Sequence, residues 1–472
     1  MTKLSQAAQA FEGLEPQMAG FLRAAGIIGA HVSLLDTEGQ MAQFSFGSAD
    51  RDIPLPPDGE TLFMIGSCSK AFAALAILLL CQDGRVALDD PIDRYVPFKL
   101  DRPENPVTIR HILTHTSGIP NLGMGEVLIA RLRGESGGDW FDSMARFYAH
   151  LNAAGGHLVF SPGERYIYCN SNYTLAAGIV SAVTGGRYED FVAERIFRPL
   201  GMGRSCFDRA DYEGFDNKSR QYFPDGERCD AYFEPVIAGC GGIISCTRDL
   251  GYFLRMLING GTLNGVAFLR PDLVREMLAG HTPMTTARDL LGPGFGPEKY
   301  ALGFMEYADF SGARVVTHSG STGIGSANLF MLPELDLALA SACSTPAGES
   351  ILPVIGFMMT CVLAGRDFFA EVPYFATEAH MQALCGRYGT YCDIVQSDIR
   401  YEDGLLWITP LDRNENSPKR ASPLIPDDPG EPFPLRFRQY TGPQAYRMAT
   451  FFSTEDGEER LILERNLYTK KK

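Results

Sequence analysis

The sequence predicts an α+β region, an antiparallel sheet flanked by helices and interrupted by a helical insertion, followed by a small C-terminal β-barrel. Three observations carry that prediction. GAHVSLLD and QMAQFSFG flank Thr37, Glu38 and Gly39 as a hairpin near the N-terminus, with the apolar runs and turn residues a hairpin needs. ARVVTHSG, SANLFMLP and LDLALASA give a second sheet signal between residues 313 and 342. From about residue 375 the pattern becomes short strands separated by turns. The first two signals lie nearly 270 residues apart, and the text between them is mostly helical or loop-like, so both ends belong to one sheet and the middle is an insertion.

The elements follow in order. Residues 5–24 read as an amphipathic helix, and the insertion holds helices at 67–82, 107–115, 140–153, 171–184 and 188–197. Another, at 247–259, stops at the pair Gly260 and Gly261, which favour a helix end. An apolar helix covers 351–364. RYGTYCDIVQ, IRYEDGLLWITP, PLRFRQYTG, YRMATFFSTEDG and ERLILERNLY are the barrel strands, with Asp403 and Gly404, then Asp456 and Gly457, as hairpin turns. The seven prolines between 410 and 434 predict a long loop. The expected domains are therefore 1–368 and 375–472, the second long enough to fold by itself.

Composition excludes several function classes. The 472 residues carry 42 basic and 57 acidic side chains, a formal charge of −15, which opposes a nucleic-acid partner. The longest apolar stretches, 71–81 and 351–364, fall short of the roughly 20 residues that span a bilayer. The N-terminus lacks an apolar core with a small-residue cleavage site, so a cytoplasmic location is expected. Eleven cysteines without any C-x-x-C suit reduced thiols better than a disulfide framework.

FMIGSCSKAFAALAILLL places Ser67 and Lys70 at the start of a strongly apolar helix. Three residues apart they share a face, so the ammonium reaches the hydroxyl. Ser67 in the first turn also keeps a backbone N–H unpaired within the helix and suited to negative charge. A lysine pressed against apolar surface has its charged form disfavoured, which suits a proton acceptor. In PGERYIYCNSNYTLAAGIV, Tyr168 and Asn170 precede a helix; a phenol near an ammonium loses its proton more readily and could act as base, while the amide could hold both the lysine and a substrate carbonyl. In VVTHSGSTGIGS, His318, Ser319 and Gly320 end a strand where glycine permits close backbone approach. Singly these signals are weak: nine lysines and 26 serines give about 0.5 S-x-x-K matches by chance, although Ser67 to Lys70 is the only one present.

Jointly they are specific. S-x-x-K, then Y-x-N about 100 residues on, then H-S-G about 150 further resemble the serine β-lactamase and penicillin-binding-protein superfamily. IRHILTHTSGIP, LDDPIDRYVP, SPGERYIYCNSNY, RIFRPLGMG, AGCGGIISCTRDL and YALGF extend the likeness over roughly 15–365, and are similar to the class C β-lactamase-like branch with its D-aminopeptidase, DD-peptidase and carboxylesterase relatives. The resemblance implies a β-lactamase/transpeptidase-like fold with a lipocalin-like C-terminal barrel. It also implies a metal-free, cofactor-free serine hydrolase acting on a small-molecule or peptide substrate. Ser67 would be the nucleophile, Lys70 and Tyr168 the general-base pair, and Asn170, His318, Ser319 and Gly320 substrate-side groups. The oxyanion hole would be the backbone N–H groups of Ser67 and Ser321. True β-lactamases of this branch carry Lys where His318 stands, and a histidine offers only a partial positive charge near pH 7. That departure favours small amides or peptides, including those with D-amino acids, over β-lactams. A carboxylesterase or weak β-lactamase is the alternative, and a penicillin-binding sensor acylated only once is the rival of another class. The barrel could shape the cleft mouth, assemble a homo-oligomer or bind a ligand of its own.

Three further motifs carry little. GESGG at 134–138, centred on Ser136, matches the G-x-S-x-G of α/β-hydrolases but follows no strand. His111 and His115 have metal-ligand spacing without a third ligand nearby. Gly320, Gly323 and Gly325 lie between two strands, which excludes a dinucleotide fingerprint. Cys68 and Cys169 read as small buried hydrophobes.

Overall fold

A computed structural model describes residues 2–471 apart from 101–103, 135–141, 154–157, 224, 285–297, 391, 393–394, 403, 412–420, 428–432, 443–444 and 465. The chain forms two units, one running to residue 365 and a second carrying Arg366–Lys472. In the first, β1 (Gly29–Asp36), β2 (Met41–Gly47), β3 (Thr282–Pro283), β4 (Glu298–Tyr300), β5 (Met305–Phe310), β6 (Ala313–Ser321), β7 (Ser326–Leu332) and β8 (Leu337–Cys343) make one antiparallel sheet. Its order is β2-β1-β8-β7-β6-β5-β4-β3. The N-terminal hairpin thus joins the late strands, with Ala30 opposite Cys343 and Asp36 opposite Leu337.

The helices that position the site are α1 (Lys3–Ala24), α2 (Ser69–Gln82), α3 (Asn170–Thr184), α4 (Thr247–Ile258) and α5 (Gly348–Leu363). Both faces of the sheet are covered, so β1, β7 and β8 are buried throughout their length, with His31 and Ser33 of β1 bonded internally to the Thr247 hydroxyl. On one face α1 lies beside α5, whose Phe357 ring sits 5.3 Å from Phe330 of β7. On the other, Gly251 of α4 leaves room for Leu35 of β1. Helix α2 is buried from Ser69 through Leu80, which explains its lack of a polar face.

The second unit contains α6 (Pro373–Ala383) and eight strands: β9 (Gly386–Gly389), β10 (Gln396–Glu402), β11 (Leu405–Leu411), β12 (Ser422–Pro426), β13 (Arg436–Gly442), β14 (Ala445–Ser453), β15 (Glu459–Leu463) and β16 (Asn466–Lys470). They close into a barrel, β9 pairing with β16 through Tyr388 and Lys470. Its interior is filled by side chains such as Tyr388, Ile399, Leu424, Phe437, Phe451 and Leu461. Two expectations are corrected. Residues 373–383 are helix, whereas the sequence pattern predicts strands from 375. The proline-rich 410–434 segment contains β12, whose buried Leu424 pairs with Leu406 and Gln439; a single inward leucine in that strand leaves no alternating pattern. Asp403 of the expected hairpin turn and parts of that segment lie outside the described residues.

Candidate active site

Ser67 sits in a tight turn, Gly66–Cys68, that leads directly into α2. The turn depends on two glycines. Gly66 has φ +52°, and a Cβ there would lie 2.6 Å from the Ser321 carbonyl oxygen, in a backbone region glycine enters freely. A Cβ on Gly320 would lie 2.8 Å from the Ser67 backbone nitrogen. The end of β6 therefore presses against the serine's turn without an intervening side chain. Thr322 donates its N–H to Gly325 at 2.9 Å, and the alternation of an antiparallel ladder then turns the Ser321 N–H away from β7. Ser67, Tyr168, Asn170 and Ser321 are half-buried and line one cavity of about 750 Å³, a volume suited to a small-molecule site.

Lys70 is fully buried and makes three contacts: Ser67 Oγ at 2.9 Å, Asn170 Oδ1 at 2.9 Å and the Cys240 carbonyl at 2.8 Å. The chain reaches Cys240 because Phe63–Met64 pairs with Ile244–Ser245, tying the segment before the serine to the segment before α4. Burial pushes the Lys70 amine down to about 8, so near neutral pH it exchanges between both forms. A neutral amine has two N–H groups and one lone pair. The carbonyl oxygens of Asn170 and Cys240 only accept and take both N–H groups, which leaves the lone pair for the Ser67 hydroxyl.

The Lys70 ammonium lies 4.8 Å from the centre of the Tyr168 ring. Burial holds the phenol well above its ordinary pKa, with the neighbouring Ser67 hydroxyl acting the other way. That direction, caused by desolvation, is opposite to the one on which the expectation of an easily ionised tyrosine rests.

His318 also differs from expectation. It is 1% exposed, and the residues lining the cavity do not include it. Its Nδ1 donates to the Ser319 carbonyl at 2.5 Å, which leaves Nε2 to accept from the Tyr300 hydroxyl at 3.0 Å. Both nitrogens are satisfied in the neutral form, and burial with Lys70 nearby lowers the imidazole to about 3. The expected partial positive charge facing substrate is absent, because β6 turns this side chain into the core. Ser319 is half-buried, its hydroxyl accepting from Asn328 at 3.3 Å.

Several residues of the site escape a reading of the sequence. His115 backs Tyr168 with ring centres 4.4 Å apart, Cys240 holds Lys70 through a backbone carbonyl, and Glu349 lines the cavity from the first turn of α5. The two histidines with metal-ligand spacing serve separate roles. His111 accepts the Thr108 N–H at 3.2 Å in a helix cap, and His115 packs among the tyrosines. Ser136 lies outside the described residues. All eleven cysteines are free, Cys68 and Cys169 buried among them.

The beta-lactamase family profile matches residues 14–351. The chain belongs to the beta-lactamase family. A second profile, the Pab87 octamerisation domain, matches residues 369–469. Penicillin-binding protein 4* of Bacillus subtilis (strain 168) is 34% identical over 172 residues, 34% of each protein. The unguisins hydrolase ungD of Aspergillus violaceofuscus is 25% identical over 344 residues, 68% of this chain and 58% of that protein. The chain thus spans about a third of the Bacillus relative's length. Among solved structures, the octameric penicillin-binding protein homologue from Pyrococcus abyssi superposes with a TM-score of 0.83, 26% identity and coverage of 97% of this chain and 99% of that one. A class C beta-lactamase gives a TM-score of 0.60 at 17% identity, covering 76% of this chain and 96% of its own, a likeness of fold. The family assignment and these superpositions establish a β-lactamase-like domain followed by a closed eight-stranded barrel. Among the described residues no helix is long and apolar enough to cross a membrane.

Proposed function

We propose that this family member hydrolyses small amides or peptides through an acyl-enzyme on Ser67. The observation that carries the reading is the Lys70 environment, where two carbonyl oxygens hold both N–H groups of the neutral amine and the serine oxygen stands 2.9 Å from its nitrogen. Ser67 Oγ attacks the substrate carbonyl carbon as its proton passes to Lys70. The oxyanion takes the backbone N–H groups of Ser67 and Ser321, which are dipoles oriented before the reaction begins. Tyr168, still protonated, relays a proton to the departing nitrogen as the carbon–nitrogen bond breaks, and is refilled from Lys70. Water then attacks the acyl carbon, its proton returns through the same groups, and the acid leaves Ser67 free.

The test is labelling and turnover. A fluorophosphonate should modify wild type and not Ser67→Ala, and aminoacyl p-nitroanilides should be turned over many times per site. A single burst of one equivalent would identify a sensor instead, and preference for p-nitrophenyl esters alone would identify an esterase. We also infer that the barrel assembles copies of this chain, supported by the octamerisation-domain match and by the octameric relative.

A further inference from the structure

The cavity beside Ser67 has an unusual charge content. Arg133 is the one cationic side chain among its described lining residues, and it is engaged elsewhere: it pairs with Asp225 at 2.9 Å and lies 4.5 Å over the Phe223 ring. Glu349 is the one carboxylate, and its oxygens have no hydrogen bond or ion pair among the described residues. Lys70 lies within electrostatic reach, but its N–H groups are taken by Asn170 and Cys240. A glutamate in a first turn favours its helix, yet that role needs no access to a substrate cavity. Met124, Leu128 and Ile129 supply apolar lining to the same cavity.

We propose that Glu349 selects substrates carrying a positively charged amine, with an apolar portion resting on the Met124–Leu128–Ile129 wall. This rests on the reading of the cavity as the acyl-transfer site and narrows its substrate class. A carboxylate-bearing substrate such as a β-lactam would meet Glu349 with like charge and find no free cation.

Calorimetry with hexylammonium and hexanoate tests the inference without requiring any chemistry at Ser67. Wild type should bind hexylammonium at least roughly tenfold more tightly than hexanoate, the size of one charge-assisted contact. Glu349→Gln should erase the difference and Glu349→Lys should reverse it. Equal binding of both ions by wild type, or a preference that survives Glu349→Gln, overturns the inference. Failure of fluorophosphonate labelling would count against the hydrolase reading alone.

A different observation assigns a role to His115. Its carbonyl accepts the Ile167 N–H at 3.0 Å and its Nδ1 accepts the Cys169 N–H at 3.2 Å, so one residue grips the chain on both sides of Tyr168. Its ring is fully buried against the Tyr168 ring, and its own backbone is left-handed, with φ +57°. Asn172 donates to the same nitrogen at 3.1 Å, which fixes the neutral ring with Nδ1 as acceptor. We infer that His115 is a positioning residue that sets where the Tyr168 hydroxyl stands.

His115→Ala should lower kcat by about 10–100-fold, the cost of misplacing a reacting group by about an ångström, with KM little changed. His115→Asn keeps an acceptor and tolerates positive φ, and should recover most of that loss. In a Tyr168→Phe background the His115→Ala effect should vanish, because no hydroxyl remains to be placed. Equal losses in both backgrounds, or no recovery with asparagine, would overturn the assignment.

Discussion

Both units have apolar cores, and they differ in the ionisable side chains buried beside them. Around Ser67 the first unit encloses Lys70, His115, His318 and Tyr300, each 1% exposed or less, whereas the barrel interior is almost wholly apolar. Burying an ionisable group costs free energy unless it is neutral and hydrogen-bonded; both His318 nitrogens are bonded, whereas His115 Nε2 is buried without a partner among the described residues. The barrel buries few polar side chains, Ser397 and Gln439 among them, and carries an apolar feature outside: Ile462 and Leu467 face each other across β15 and β16 at 39% and 46% exposure. Chemistry is read from what a region buries, assembly from what it leaves exposed.

The comparison breaks most sharply at the proposed nucleophile. Ser67→Ala should lower turnover by on the order of 10⁴-fold or more while the unfolding midpoint stays close to wild type, since the side chain is half-buried and its removal opens no core. Retained turnover with intact folding would place the chemistry elsewhere.

Tyr168→Phe comes next, at about 10²–10⁴-fold in turnover, the range for a positioned acid or base. The ring and its packing on His115 remain, so only the proposed proton relay is lost. Near-normal turnover would show that Lys70 moves the proton unaided.

The pH profile sharpens the contrast between the two buried basic groups. Lys70 must be neutral to accept the serine proton, and its amine is lowered to about 8, so activity should rise with pH through that value. His318 is lowered to about 3 and stays neutral above it, so no limb should appear near the ordinary imidazole value of about 6.5. His318→Gln should therefore leave the profile's shape unchanged. Because glutamine can still accept from the Tyr300 hydroxyl but removes the Nδ1 donor to the Ser319 carbonyl, it should cost about 1–3 kcal/mol of stability by denaturant unfolding. A limb near 6.5 that disappears in this variant would return His318 to the reaction path.

What the sequence discloses depends on how local each feature is. Ser67 and Lys70 are three residues apart where a tight turn runs into one helix, and Tyr168 and Asn170 two apart at another's start, so spacing exposes them. Cys240 is hidden because it acts through a backbone carbonyl, which every residue possesses. The direction of His318 is hidden because strand periodicity separates two faces without saying which one meets the cavity. The upward push of burial on the Tyr168 phenol is hidden from the sequence because desolvation is a property of the finished fold. In the barrel, Leu424 alone marks β12, and one residue does not make a period.

The smallest effect on catalysis should come from the barrel's exterior, and it bears on assembly. Ile462 and Leu467 form an exposed cross-strand pair, and their substitution by lysine removes little buried area, so the folded barrel should lose only a few tenths of a kcal/mol. If copies of this chain meet through that surface, two facing cations would enter each contact, and burying unpaired charge opposes association strongly. Ile462→Lys with Leu467→Lys should then shift the mass measured by light scattering towards the monomer while turnover of a small substrate per site stays within about twofold. An unchanged assembly would move the contact to another part of the barrel. Loss of turnover together with assembly would mean that the two units do not divide their work as their interiors suggest, because a site complete within one chain has no need of its neighbours.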